Sequence, residues 1–238
     1  MLEQNPRDYS SYFNLVRIYD KEKEVGRILA LFENGLNNFP QDAELFGGRA
    51  KFYFDTKNYS EAKTDYESYF TAGGDSVYSA LMNYGISLYF AKYENTAIRI
   101  LEKCVNQVVN DPYVLFYLSL SHKKLNNFEI SEAYMNAAIE AATPAYLSEM
   151  YHHLGQICGQ QRKFKESIAA LQKSNELDST NVEALFEIAT TYEEYNSNKT
   201  LALNYYRIYL LEAGESGRNV NYALDRITRI KEEMFFEE

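Results

Sequence analysis

The densest cluster of chemically capable side chains lies between Tyr151 and Asp178, where His152, His153, Cys158 and several carboxylates fall close together. Imidazole, thiolate and carboxylate are the ligands of a zinc site, and the base and nucleophile of a hydrolase. Their spacing argues against both. On a helix of about 3.6 residues per turn, His152 and Cys158 point about 240° apart, and His153 and Cys158 about 140° apart. Two helical ligands of one ion sit one turn apart, as in His-Glu-x-x-His, and adjacent histidines cannot both face it. No catalytic residue, metal site or cofactor is therefore expected. Cys104 and Cys158 fall at packing positions on helices too far apart for a disulfide, so both are expected as buried thiols. His122 is expected to pack between helices, whereas His152 faces away from the packing positions and is placed to meet a ligand.

Other motifs fail on context. Gly47-Gly48 lies inside a predicted helix, and Gly73-Gly74 follows no strand and precedes no Lys-Ser/Thr, so neither makes a phosphate loop. No Gly-x-Ser-x-Gly occurs. Glu193-Glu194 and Glu232-Glu233 are adjacent on helices and read as solvated faces.

The elements that position these residues recur along the chain. Small or modest side chains recur at Val16, Ala50, Gly85, Ser119, Gly155 and Ala189, in steps of 34, 35, 34, 36 and 34 residues. Three residues later come Tyr19, Tyr53, Leu88, His122, Cys158 and Tyr192. A second series runs Ile28, Ala62, Ala97, Ser131, Ser167 and Ala202, and four residues beyond each is Phe32, Tyr66, Leu101, Met135, Leu171 or Tyr206. Spacings of three and four keep a small and a large residue on one helical face. The small one lets two helices approach and the large one fills the space beside it. Breakers at Lys57-Asn58, Asn126-Asn127 and Gln161-Arg162 divide each copy. Pro40, Gly73-Gly74, Asp111-Pro112 and Pro144 separate the copies. A one-residue adjustment between helices is expected near Tyr93 and Asn198.

These residues resemble the tetratricopeptide repeat, whose pattern runs Trp-x-x-Leu-Gly-x-x-Tyr, then Ala-x-x-x-Phe, then Pro. Tyr12-x-x-Leu15-Val16-x-x-Tyr19, Ile28-x-x-x-Phe32 and Pro40 make one copy, and Tyr151-x-x-Leu154-Gly155-x-x-Cys158 with Ser167-x-x-x-Leu171 another. The first position is never Trp. The resemblance covers residues 9 to about 215 and implies an all-α, right-handed superhelical solenoid of helix-turn-helix repeats. Six repeats are expected over approximately 9–42, 43–77, 78–111, 112–147, 148–181 and 182–215. Residues 216–238 are expected as a capping helix, with Val220, Ala223, Leu224, Ile227, Ile230 and Met234 on one face and Arg226 and Arg229 on the other.

The resemblance also implies a binding surface. First helices of such repeats line a concave groove that takes a peptide or partner segment. Carried over copy by copy, the groove positions are Phe13 and Arg17, then Gly47 and Lys51, then Met82, Ile86 and Tyr89. They continue with Tyr113, Phe116, Leu120 and Lys123, then His152 and Gln156, then Phe186, Thr190 and Glu193. The middle members are apolar and are expected as an exposed strip, with Tyr89, Phe116 and Phe186 as aromatic anchors. Basic residues toward one end (Arg17, Lys51) and acidic ones toward the other (Glu183, Glu187, Glu193) favour an oriented ligand. The Lys/Asn clamp that some relatives close on chaperone tails should fall at Phe13 and Arg17, or at Gly47 and Lys51, and neither pair matches.

Composition sets the remaining limits. The net charge of −10 disfavours nucleic acid and anionic membranes as partners. No apolar run is long enough to cross a bilayer. Leu2 to Pro6 read like the close of a preceding repeat, so the chain is expected to be cut from a longer array, and its compartment, cytoplasmic or periplasmic, is not encoded. The expected function is a non-catalytic scaffold for a protein or peptide. The alternatives are the accessory region of a longer enzyme or regulator, and an array that self-associates through its uncapped N-terminal repeat.

Overall fold

A computed structural model describes residues 8–21, 24–142, 146–195, 199–214 and 217–237. Among the described residues there are thirteen α-helices and no strand. Two compact units divide the chain, Met1–Val109 and Asn110–Glu238. The first contains α1 (Tyr9–Lys21), α2 (Val25–Asn38), α3 (Ala43–Asp55), α4 (Tyr59–Thr71), α5 (Tyr78–Phe90) and α6 (Glu94–Val105). The second contains α7 (Pro112–Lys124), α8 (Phe128–Ala141), α9 (Leu147–Gln160), α10 (Phe164–Leu177), α11 (Glu183–Glu194), α12 (Lys199–Ala213) and α13 (Val220–Glu237). Within each unit, consecutive helices pair into hairpins.

Helix starts follow local chemistry. The Asp42 carboxylate accepts from the Leu45 N–H at 2.9 Å, satisfying one of the donors that α3 leaves open. Asp111 does the same for Tyr113 and Val114, with Pro112 fixing the first turn of α7.

From α3–α4 onward, each hairpin closes where the two small series meet. Ala50 and Ala62, Ser119 and Ser131, and Ala189 and Ala202 are all fully buried, as is Ala97 opposite Gly85. The backbones approach closely enough for hydroxyls to bridge them. Ser119 Oγ donates to the Ser131 carbonyl at 2.7 Å, Ser131 Oγ returns a bond to the Ser119 carbonyl at 2.8 Å, and Ser167 Oγ donates to the Gly155 carbonyl at 2.7 Å. Beside these contacts sit Phe32, Tyr66, Leu101, Met135, Leu171 and Tyr206, none more than 2% exposed. A Cβ on Gly155 would lie 2.5 Å from Leu171 Cγ and 3.2 Å from the Ser167 carbonyl oxygen. No side chain fits there without moving a backbone.

Turns inside the hairpins repeat as well. Lys57, Lys92, Asn126 and Arg162 hold φ between 60° and 66°. The next N–H reaches back five residues, from Asn58 to the Tyr53 carbonyl, Tyr93 to Leu88, Asn127 to His122 and Lys163 to Cys158, at 2.8–3.0 Å. This is the Schellman closure, which caps carbonyls that the helix leaves open. Its acceptors are members of the second sequence series, Tyr53, Leu88, His122 and Cys158. The turn at Tyr93 needs no adjustment, because Gly85 and Ala97 have the same separation as Ala50 and Ala62. The joint at Asn198, the breaker Pro144 and residues 2–6 lie outside the described residues.

Polar ties add to the apolar packing. In the first unit Arg49 grips Asp65 through two bonds, Nε to Oδ2 at 2.6 Å and Nη2 to Oδ1 at 2.8 Å, across α3 and α4. In the second, Glu132 of α8 accepts from Gln161 and from Lys163 in the α9–α10 turn. Helix α13 buries Ala223, Ile227 and Ile230 in a cluster with Tyr206 and Tyr209. Two expectations for α13 are corrected. Leu224 is 50% exposed, because it stands one residue off the Ala223–Ile227–Ile230 stripe. Arg226 turns back to bond Glu193 of α11 instead of facing solvent.

Gly155→Ala should destabilise the chain by about 1–3 kcal/mol through overpacking, seen as a lower urea midpoint. Lys57→Gly should raise that midpoint, since the left-handed conformation costs a residue with a Cβ about 1–2 kcal/mol.

Candidate functional site

The second unit brings groove positions from three first helices together. Lys123 of α7 donates to Oε1 of Gln156 in α9. The Gln156 amide nitrogen then donates to Glu187 Oε1 of α11 at 2.6 Å. The other Glu187 oxygen faces His152 Nε2 at 3.1 Å, and Asn181 Nδ2 meets His152 Nδ1 at 3.2 Å. One amide side chain thus joins a cation to an anion. The three helices present it because these residues stand 33 and 31 positions apart, close to one repeat length.

This chain of bonds borders a hollow of about 670 Å³. Gly155 and Gly159 leave the α9 backbone bare along one side, and Thr190, Thr191 and Glu194 of α11 face it from another. Both threonine hydroxyls donate to the Glu187 carbonyl, at 2.9 and 2.7 Å, so they meet a ligand as acceptors. Arg162 and Phe164 close the end by the α9–α10 turn.

Burial sets the ionisation here. It pushes the Lys123 pKa down to about 8, against the pull of the Glu187 carboxylate. His153 sits behind the network with its ring 5.5 Å from Phe116. Burial, with Lys123 and His152 as like charges, pushes its pKa down to about 4. His153 is therefore neutral at pH 7 and donates Nδ1–H toward Gln156 Oε1 at 3.3 Å. Cys158 and Cys104 are buried free thiols, and burial raises Cys158 to about 11, far from a reactive thiolate. No group of three metal-ligating side chains occurs among the described residues.

The remaining groove positions divide differently from expectation. Ile86, Phe116 and Leu120 are 3%, 7% and 7% exposed, so they do not form an exposed strip and Phe116 is not an open anchor. For Phe116 the reason is the neighbouring first helix, which lays His153 over the ring. Phe186 packs against Tyr206, Tyr209 and Tyr222 and belongs to the core beneath α13. Met82 and Tyr89 are half-buried, Tyr113 is exposed, and Glu193 is taken up by Arg226 and Tyr206. In the first unit, Arg17 is exposed, and Phe13 and Lys51 border a separate hollow of about 230 Å³ that includes Gly47 and Gly48. Lys51 is paired with Asp55 one turn along α3.

Lys123, His152, Gln156 and Thr190 are thus the expected positions that converge. In the sequence Glu187, which links them, is marked only by its charge, His153 only by its place beside His152, and Asn181 by nothing. A search for hydrogen-bonding residues about one repeat apart finds Glu187, 31 positions from Gln156.

With this geometry in hand, residues 148–181, the α9–α10 hairpin and its flanks, match the profile of the tetratricopeptide repeat. The fold is that of the tetratricopeptide repeat. Three solved structures show how far the likeness to other tetratricopeptide-repeat folds extends. YrrB, described as a TPR protein with an unusual peptide-binding site, is 19% identical at a TM-score of 0.67, over 77% of this chain and 93% of its own. The C-terminal part of a TPR repeat-containing protein from Cytophaga hutchinsonii is 17% identical at a TM-score of 0.70, over 89% and 83%. MamA from Desulfovibrio magneticus RS-1 is 16% identical at a TM-score of 0.63, over 71% and 94%. No curated protein sequence matches the chain significantly.

The unfolded chain takes up the His153 proton near the ordinary pKa of 6.5 and the folded chain only near 4. Stability therefore rises with pH across that window and is lost as pH falls through it. His153→Leu should lose less stability between pH 7 and 4.5 than the unaltered chain. The difference is at most about 3 kcal/mol. Urea unfolding at the two pH values measures it.

Proposed function

We propose that this protein is a non-catalytic scaffold that holds an extended segment of a protein partner in the cleft bordered by α7, α9 and α11. One observation carries the reading: the bonded series Lys123–Gln156–Glu187, with His152 behind Glu187, runs along an open polar hollow instead of being sealed in the core. An extended peptide offers N–H and C=O groups at short, regular intervals, and its ends need both donors and acceptors. The cleft supplies an ammonium, an amide, hydroxyl acceptors and the carboxylates of Glu187 and Glu194. Gly155 and Gly159 allow a ligand to approach the α9 backbone. The six repeats at 9–42 through 182–215 and the cap at 216–238 then serve as a frame that fixes these helices.

The non-catalytic part of the reading rests on engagement. Lys123 and Glu187 are both spent on the Gln156 amide, and the Cys158 thiol is buried with its pKa raised. The acidic net charge supports a protein partner over nucleic acid. The peptide-binding description of YrrB supports the reading at the level of the fold.

Phage-displayed random dodecapeptides selected on the full chain test it. Selected peptides should lose roughly tenfold or more in affinity for Thr190→Arg, which fills the cleft, and for Lys123→Met, which removes the charge. Helix content by circular dichroism should not change. Peptides that bind both variants as tightly as the unaltered chain would overturn the reading.

A further inference from the structure

A second hollow in the same unit, about 200 Å³, lies where α7 and α9 begin. It is walled by Tyr113, Phe116, Tyr117, Tyr146, Glu149 and Met150. Tyr113 and Tyr146 meet edge to face at 5.0 Å with ring planes 72° apart, and Phe116 and Tyr117 do so at 5.4 Å and 73°. Four rings wall this small space, and any π face turned toward it is electron-rich. Phe116 and Met150 are buried and make a dry floor, while Tyr113 and Tyr146 stay partly exposed at the mouth. No lysine or arginine lines the hollow, and its one charged lining residue is Glu149. The Glu149 and Asp111 carboxylates both act on Tyr113, so the field at the mouth is negative.

We propose that this aromatic hollow binds the methylated ammonium group of a lysine side chain on the partner segment. The proposal rests on the peptide-binding reading above and names a chemical feature of that peptide. Four rings and a carboxylate attract a cation through π faces and net charge together. The hydrogen-bonding capacity of the site selects among cations. Glu149 is the one carboxylate in the lining, and aromatic rings and the Met150 thioether make up the rest. A bare ammonium brings three N–H donors and a guanidinium five, more than one carboxylate satisfies, and each donor left over against a ring carries a desolvation cost. A trimethylated nitrogen has no N–H to satisfy, and its methyl groups pack against the rings.

The test uses capped Nε-trimethyl-lysine as the probe, with capped lysine and the neutral carbon isostere of the trimethyl probe as comparators. Binding to the full chain is followed by calorimetry and by saturation transfer to the probe methyl protons. Trimethyl-lysine should bind, and each comparator should bind about tenfold more weakly, the scale of a partly desolvated cation–π contact. Tyr146→Ala should weaken the probe by about tenfold and Glu149→Gln by a few-fold, with helix content unchanged by circular dichroism. Absence of binding, equal binding of the carbon isostere, or indifference to Tyr146→Ala would overturn the proposal. The cleft reading fails separately. If the probe is ignored while selected peptides still respond to Thr190→Arg, the aromatic site falls and the cleft stands. If the probe binds while selected peptides ignore Thr190→Arg, the reverse holds.

Discussion

Two helix backbones come within hydroxyl reach of each other only where neither bears a bulky side chain, and this chain supplies such a place in every hairpin from α3–α4 to α11–α12. Ala50 on Ala62, Gly85 on Ala97, Ser119 on Ser131, Gly155 on Ser167 and Ala189 on Ala202 are the same contact in different atoms. The rest follows from it. Close approach makes room for a large apolar side chain at the next turn of the second helix, where Tyr66, Leu101, Met135, Leu171 and Tyr206 are all buried. It also leaves the same gap to be turned at each hairpin tip, and four tips close it with one left-handed residue and one reaching-back N–H.

Because these packing positions occupy only part of each first helix, its opposite face is left to other uses. In the second unit that face carries a polar series, and burial there is partial enough to tune ionisation without excluding ligand. Lys123 illustrates the balance. Burial makes its ammonium a stronger acid than that of a surface lysine, yet that ammonium is held by an amide oxygen beside a carboxylate. Such a donor is held in place by the chain's own bonds.

The fold was legible in the sequence because its determining contacts are local and repeated. The two small series and the large one are read from residue type and spacing alone, and each copy checks the others. The site was legible only in part. A helical register says which face a residue occupies, but not how far the neighbouring hairpin rotates over that face. That rotation buries Phe116 under His153 and leaves Lys123, Gln156 and Thr190 at an opening. Phe186 went astray for a related reason: α13 supplies Tyr222, which makes a core out of what would be a groove in an interior repeat. The bidentate Arg49–Asp65 pair had no sequence mark, since charged residues 16 apart follow neither the helical nor the repeat period.

The serine bridges within hairpins bear on how the chain is made. Ser119 and Ser131, like Gly155 and Ser167, are separated by only twelve residues. Bringing such near neighbours together closes a short loop, so little chain entropy opposes the event. Each pair of helices carries both partners of its defining contact once its second member has left the ribosome, before the next pair has been synthesised. Synthesis and folding can therefore advance in step, with a short unfolded stretch at any moment for a protease or a neighbouring nascent chain to seize.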